Sequence, residues 1–110
     1  MEIPKSLEEL VLAHANLEQD GISALRQNDF LQSIKIFSAC IDKDKNNWQA
    51  RLCLGLAYFN ADQIYAAASH FRYLKQHCPD KTIRNDAIAA LVAVEQELKS
   101  RRKPNNKFYA

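Results

Sequence analysis

The sequence predicts an all-α fold in which about five helices form one domain over residues 1–100. Its 110 residues contain only two glycines and three prolines, too few for the many turns of an all-β fold. The glycines, Gly21 and Gly55, lie 34 residues apart, and Phe37 precedes Phe71 by the same interval. This interval is typical of a repeated pair of helices.

Residue size is matched along this interval, so that Ser33, for example, corresponds to Ala67. A pair of helices therefore occurs twice in the prediction, over about 14–47 and about 48–81. One further helix over about 81–100 then caps the array. Where two helices of a pair cross closely, a glycine removes the side chain that would hold their backbones apart.

Capping residues predict the helices of the first pair. Ser6 and Glu9 have the spacing of a capping box, and a helical pattern follows to about Gln27. After a short turn, Asp29 caps a second helix that ends near Asp42. Apolar residues three and four positions apart give this helix one buried stripe, formed by Phe30, Ile34, Phe37 and Ile41.

A polar linker separates the two pairs, and the second pair is predicted as helices over 48–60 and 63–77. Asp62 is the expected cap of the latter helix. A final helix begins at Asp80 and ends near residue 100. Residues 101–110 are basic and lack a helical period, so they are predicted to form a flexible tail.

The second pair resembles the tetratricopeptide repeat, whose pattern runs W-x2-L-G-x2-Y, then A-x3-F, then P. The matching residues are Leu54, Gly55, Tyr58, Ala67, Phe71 and Pro79. Arg51 stands where the pattern has tryptophan, and Trp48 lies one turn earlier. The first pair keeps only Gly21 and Phe37 strictly, and its register with the second pair supports it.

The resemblance implies a short right-handed superhelix in which each repeat contacts only its neighbours. It also implies that the first helix of each pair lines a concave groove, which holds an extended or helical segment of a partner protein. By the matching spacing, the residues expected in this groove are Glu18, Ile22, Leu25, Arg26, Gln49, Leu52, Cys53, Leu56, Phe59, Asn60, Asp86, Ala90 and Val94.

The expected groove is apolar because it includes Ile22, Leu52, Leu56 and Phe59, and such a surface usually has an occupant. An amphipathic helix of a partner, the chain's own N-terminal helix or C-terminal tail, and a second copy of the chain are three candidates. In the alternative interpretation, some of these residues belong to the core between helices. The two ends of so short a stack are further candidate pairing sites.

Two kinds of function are disfavoured. Family members that bind the acidic C-terminus of heat-shock chaperones use Lys, Arg and Asn on the groove helices. The corresponding positions here are Glu18, Ile22, Cys53, Ile83 and Ala87, which cannot clamp a carboxylate. No acid, base or nucleophile set, phosphate loop or C-x2-C spacing is found, so we expect no enzyme, cofactor or metal site.

Basic residues concentrate toward the C-terminus and, with Phe108 and Tyr109, could contact nucleic acid. Acidic residues such as Asp86 and Glu95 are interspersed, which favours an ordinary solvated face or an acidic protein partner. The net charge of +2 implies no strong field toward nucleic acid or membranes. The polar N-terminus, short apolar runs and three unclustered cysteines predict a cytoplasmic protein without membrane insertion.

The primary hypothesis is a non-catalytic adaptor that binds another protein, through the groove or by end-stacking, within a larger complex. A second hypothesis is an assembly or secretion chaperone that uses the same groove to shield one client. A third is a regulator associated with nucleic acid.

Overall fold

The computed structural model describes the backbone of residues 18–108 and the side chains of residues 18–101. The described helices are α1 (18–26), α2 (Phe30–Lys43), α3 (Trp48–Asn60), α4 (Ile64–His77) and α5 (Lys81–Phe108). These residues contain no strand, which confirms the all-α class and the expected number of helices. No helix among them is both long and apolar enough to cross a membrane. The predicted Ser6 capping box and the Tyr109 tail position lie outside the described residues.

Side-chain caps fix the starts of three helices. The Asp29 carboxylate accepts a hydrogen bond from the backbone N–H of Gln32 at 3.4 Å, as the sequence predicts. The Asn47 side chain likewise accepts from the Ala50 N–H at 3.1 Å at the start of α3. Asp80 accepts from the N–H groups of Thr82 and Ile83, at 2.9 and 3.1 Å, before α5. These bonds satisfy donors that have no partner inside their own helix.

Two predicted boundaries differ from the structure. Asp62 was expected to cap α4, but the N-cap residue is Gln63, and the Asp62 carboxylate pairs instead with the Arg101 guanidinium. The final helix was expected to end near residue 100, but α5 continues to Phe108. The good helix formers Lys and Arg after Leu98 favour this continuation, as does the Glu97–Arg101 ion pair at 2.9 Å on one helix face.

The turns within the two pairs have the same backbone conformation. Asn28 and Asp62, 34 residues apart, have φ values of 64° and 69°, the left-handed region that Asn and Asp tolerate best among non-glycine residues. Their N–H groups donate to the carbonyls of Leu25 and Phe59, and both bonds are 3.1 Å long. The repetition therefore extends from residue size to backbone geometry.

Each glycine lies directly under the phenylalanine ring of its own pair. A Cβ placed on Gly21 would lie 2.7 Å from Phe37 Cζ, and one placed on Gly55 would lie 2.5 Å from Phe71 Cε1. Both rings are almost completely buried. The predicted role of the two glycines as close-packing points between paired helices is confirmed.

Helix α3 lies at the centre of the packing, because it contacts α2, α4 and α5. It contributes to both core clusters. The first contains Phe37, Cys40, Ala50, Cys53 and Leu54. The second contains Leu52, Ile64, Ala67, Ala68, Phe71, Leu74, Cys78, Ala87 and Val94. Since α3 is covered on most sides, little of its surface remains for a partner.

Replacing Ser33 by alanine should increase the free energy of unfolding by about 1 kcal/mol. Ser33 is fully buried, and no group among the described residues hydrogen-bonds to its hydroxyl oxygen. The corresponding residue of the second pair is Ala67, which is also fully buried. Urea unfolding of Ser33→Ala measures the effect, with Ser38→Ala on the same helix as the control. A loss of stability in Ser33→Ala would contradict this prediction.

Candidate partner-binding face

The helices α1, α3 and α5 meet at the end where each begins. Glu18 of α1, Gln49 of α3 and Ile83 of α5 line one shallow depression there. Asn47 joins two of these helices, since its side-chain N–H donates to Glu18 Oε2 at 2.8 Å while its oxygen caps α3. Glu18 therefore holds the loop before α3 in place. We call the surface of α1, α3 and α5 that includes Leu56 the odd-helix face.

The residues expected in the groove fall into three classes of burial. The exposed ones are Arg26, Gln49, Leu56, Asn60 and Asp86. The half-buried ones are Glu18, Ile22, Leu25, Phe59 and Ala90. The buried ones are Leu52, Cys53 and Val94. The last class cannot line an open groove.

Leu52 and Cys53 are core residues because α3 has neighbours on both sides. Leu52 packs in the cluster that includes Ala87 of α5. Cys53 packs with Phe37 and Cys40 of α2. Burial raises the pKa of the Cys53 and Cys40 thiols, so both stay in the neutral form that suits an apolar core.

The exposed stripe of α3 is narrower and more polar than the sequence predicts. It consists of Gln49, Leu56 and Asn60, and Leu56 is 38% exposed. Ile22 packs against the first core cluster and Phe59 against the second. The odd-helix face therefore offers one apolar side chain between two amide side chains instead of a continuous apolar groove.

An aromatic and cationic cluster between α3 and α4 was not predicted. The Arg51 guanidinium carbon lies 4.1 Å from the centroid of the Tyr73 ring, a cation–π contact. Trp48 stacks on the other side of the sequence pattern's gap, with its ring centroid 6.2 Å from that of Tyr73. The only signal in the sequence was the arginine at a position where the family pattern has tryptophan.

His70 links this cluster to the core between the pairs. Its ring stacks on Tyr58 with 5.5 Å between centroids and 8° between planes. Arg51 Nη1 lies 3.4 Å from His70 Nδ1. Burial, and to a smaller degree the Arg51 charge, lowers the pKa of His70. The neutral imidazole is therefore the form that the folded protein favours.

Acidification below about pH 6.5, the ordinary histidine pKa, should destabilise the fold through His70. The unfolded chain takes up a proton there before the folded one does, so stability is present above pH 6.5 and is lost as pH falls toward the lowered pKa. Asp42 lines the same depression from α2, and Arg51 faces the ring from α3. Urea unfolding between pH 7 and 5 measures the slope.

The variant His70→Gln should flatten that slope. The exposed His77 lies on the same helix, so His77→Gln is the matched control and should leave the slope nearly unchanged. Equal slopes for the wild type and His70→Gln would show that this pH dependence has another source.

Several basic residues considered for nucleic acid are occupied within the protein. An Arg84 side-chain N–H donates to the Cys78 carbonyl at 2.8 Å, which ties α5 to the end of α4. Arg101 pairs with both Asp62 and Glu97. The hydrogen bond from Arg101 lowers the pKa of the Asp62 carboxyl. These contacts give the two arginines structural roles.

Within the described residues, no three His, Cys, Asp or Glu side chains come together in a way that could hold a metal ion. In comparisons with known proteins, no family model, curated protein or solved structure matches the chain.

Proposed function

We propose that this protein is a tetratricopeptide-type adaptor that binds a segment of another protein and performs no chemistry itself. The equivalent contacts Gly21–Phe37 and Gly55–Phe71 support a repeated helical scaffold, because each ring occupies space that only a glycine leaves free. Two such pairs followed by α5 would stack as a short right-handed superhelix. Its proposed setting is the cytoplasm, where the three buried cysteines would remain thiols.

The observation that carries this proposal is the exposure of Leu56 at the centre of the odd-helix face. A leucine that is 38% exposed on the most covered helix offers an apolar anchor. Gln49 and Asn60 lie on the same stripe, and amide side chains both donate and accept hydrogen bonds. An amphipathic or extended segment with one apolar residue and flanking polar groups fits this arrangement.

Leu56→Asp should abolish capture of the partner while leaving the fold intact. The experiment is co-purification of tagged full-length protein from its native cell, with wild type and variant compared by mass spectrometry. Leu31→Asp is the matched control, because Leu31 is 79% exposed on α2 and lies away from the odd-helix face. Phe59 is a poorer choice for substitution, since it packs against the core.

Circular dichroism and urea unfolding should be the same for both variants. If Leu56→Asp retains the wild-type set of partners, the odd-helix face is not the binding site. If Leu31→Asp loses them as well, the effect is not specific to Leu56.

A further inference from the structure

A second apolar surface lies between α4 and α5, away from Leu56. Ile88 and Val92 of α5 are 39% and 50% exposed, and they line a depression together with Arg72 and Lys75 of α4. We call this depression the α4–α5 surface. Exposed β-branched residues on adjacent turns of one helix, beside the outer side of a second helix, are unusual on a solvated face.

The α4–α5 surface has a counterpart 34 residues earlier in the chain. Leu54 and Tyr58 of α3 correspond to Ile88 and Val92, and they line a depression between α2 and α3. That depression is covered by α4, whose His70 ring stacks on Tyr58. The same position is therefore filled by a helix in one place and, among the described residues, is open in the other.

The two depressions differ in charge. Ser38 and Ile41 of α2 occupy the positions that Arg72 and Lys75 occupy on α4. The α4–α5 surface thus has two cations where its counterpart has none, and Glu95 is its single acidic lining residue. A helix that covers it needs acidic residues where α4 has a histidine.

The two depressions also differ in depth. Ala89 of α5 corresponds to Gly55, over which the Phe71 ring packs so closely that a Cβ would lie 2.5 Å from it. The Ala89 methyl group takes up the space that the tip of such a ring would need. A covering helix therefore requires a shorter apolar residue, such as leucine, at the position of Phe71.

We infer that the α4–α5 surface binds an amphipathic helix of another protein. This helix places a leucine-sized residue over Ala89 and acidic residues beside Arg72 and Lys75. A second copy of this chain is disfavoured, because two-fold pairing through α5 would bring two basic rims together. The site is separate from Leu56, so each can fail without the other.

A peptide derived from α4 provides the probe, since α4 is the helix that covers the counterpart. It consists of residues 63–77 with His70→Glu and Phe71→Leu, carries a fluorescent label and is stapled on its exposed face to hold the helix. The matched control peptide has His70→Lys instead of His70→Glu. Fluorescence anisotropy with the full-length protein should give at least about tenfold tighter binding of the acidic peptide.

Substitutions in the protein complete the test. Val92→Asp should abolish binding, and Arg72→Glu with Lys75→Glu should reverse the preference between the two peptides. Leu56→Asp and Leu31→Asp should bind as the wild type does. Circular dichroism checks that each variant is folded.

Equal binding of the two peptides, no binding of either, or undiminished binding to Val92→Asp would overturn the inference. Analytical ultracentrifugation tests the other occupant. If the wild type is a dimer that Val92→Asp converts to a monomer, the surface is covered by a second copy and the inference is wrong.

Discussion

Phe71→Ala is expected to reduce the free energy of unfolding by about 3–5 kcal/mol. Phe71 is 1% exposed and packs in the larger core cluster with Leu74 and Ala67. Its removal loses the burial of an aromatic ring and leaves a cavity above Gly55 that the rigid helical pair cannot close. Small domains have only about 5–15 kcal/mol of total stability, so this variant should lie close to the unfolding threshold.

Urea unfolding followed by circular dichroism at 222 nm measures this loss. Tyr65→Ala on the same helix is the control, because Tyr65 is 74% exposed and its removal should change stability by less than about 0.5 kcal/mol. Phe37→Ala tests the equivalent contact of the first pair and should show a loss of similar size. A loss below about 1.5 kcal/mol for Phe71→Ala would contradict a well-packed α3–α4 interface.

The features that could be predicted from the sequence are those set by local chemistry and by the repeat interval. Asp29 caps α2 because its side chain acts on a backbone group three residues away. The Gly21–Phe37 and Gly55–Phe71 contacts followed from their equal spacing, since two matching pairs at one interval imply the same helical crossing twice. Both arguments use separations of a few turns.

Contacts with a third helix were not available to such reasoning. The helical pattern placed Leu52 and Cys53 on the groove side of α3, but α5 covers the former and α2 the latter. The phase of one helix fixes which residues share a stripe, whereas burial depends on how far each neighbour extends over it. The odd-helix face consequently retained Leu56 and lost two of its expected members.

Asp62 and Arg51 show a second limit. Aspartate is a good cap by composition, but Asp62 takes the left-handed position of the turn and pairs with Arg101, 39 residues away. Arg51 replaces an aromatic residue of the family pattern by stacking on Tyr73 from the next helix. In both cases the partner is distant in sequence, and the local propensity of the residue does not identify it.

Gly55→Ala is expected to destabilise the protein by about 1–3 kcal/mol, although alanine is the better helix former by about 1 kcal/mol. The new Cβ would lie 2.5 Å from Phe71 Cε1 and 2.9 Å from two further ring carbons. A rigid ring held on all sides cannot move away from it, so α3 and α4 must separate. The overpacking cost therefore exceeds the gain in helix propensity.

A double-mutant cycle identifies the cause. Phe71→Leu alone should destabilise, because it leaves part of the ring's volume empty, but in the Gly55→Ala background it should cost much less or restore stability. Ala89→Gly is the matched control, since Ala89 occupies the corresponding position of α5 and is exposed. That variant should lose only the propensity difference of about 1 kcal/mol. Additive effects of Gly55→Ala and Phe71→Leu would show that the glycine is not required by the ring above it.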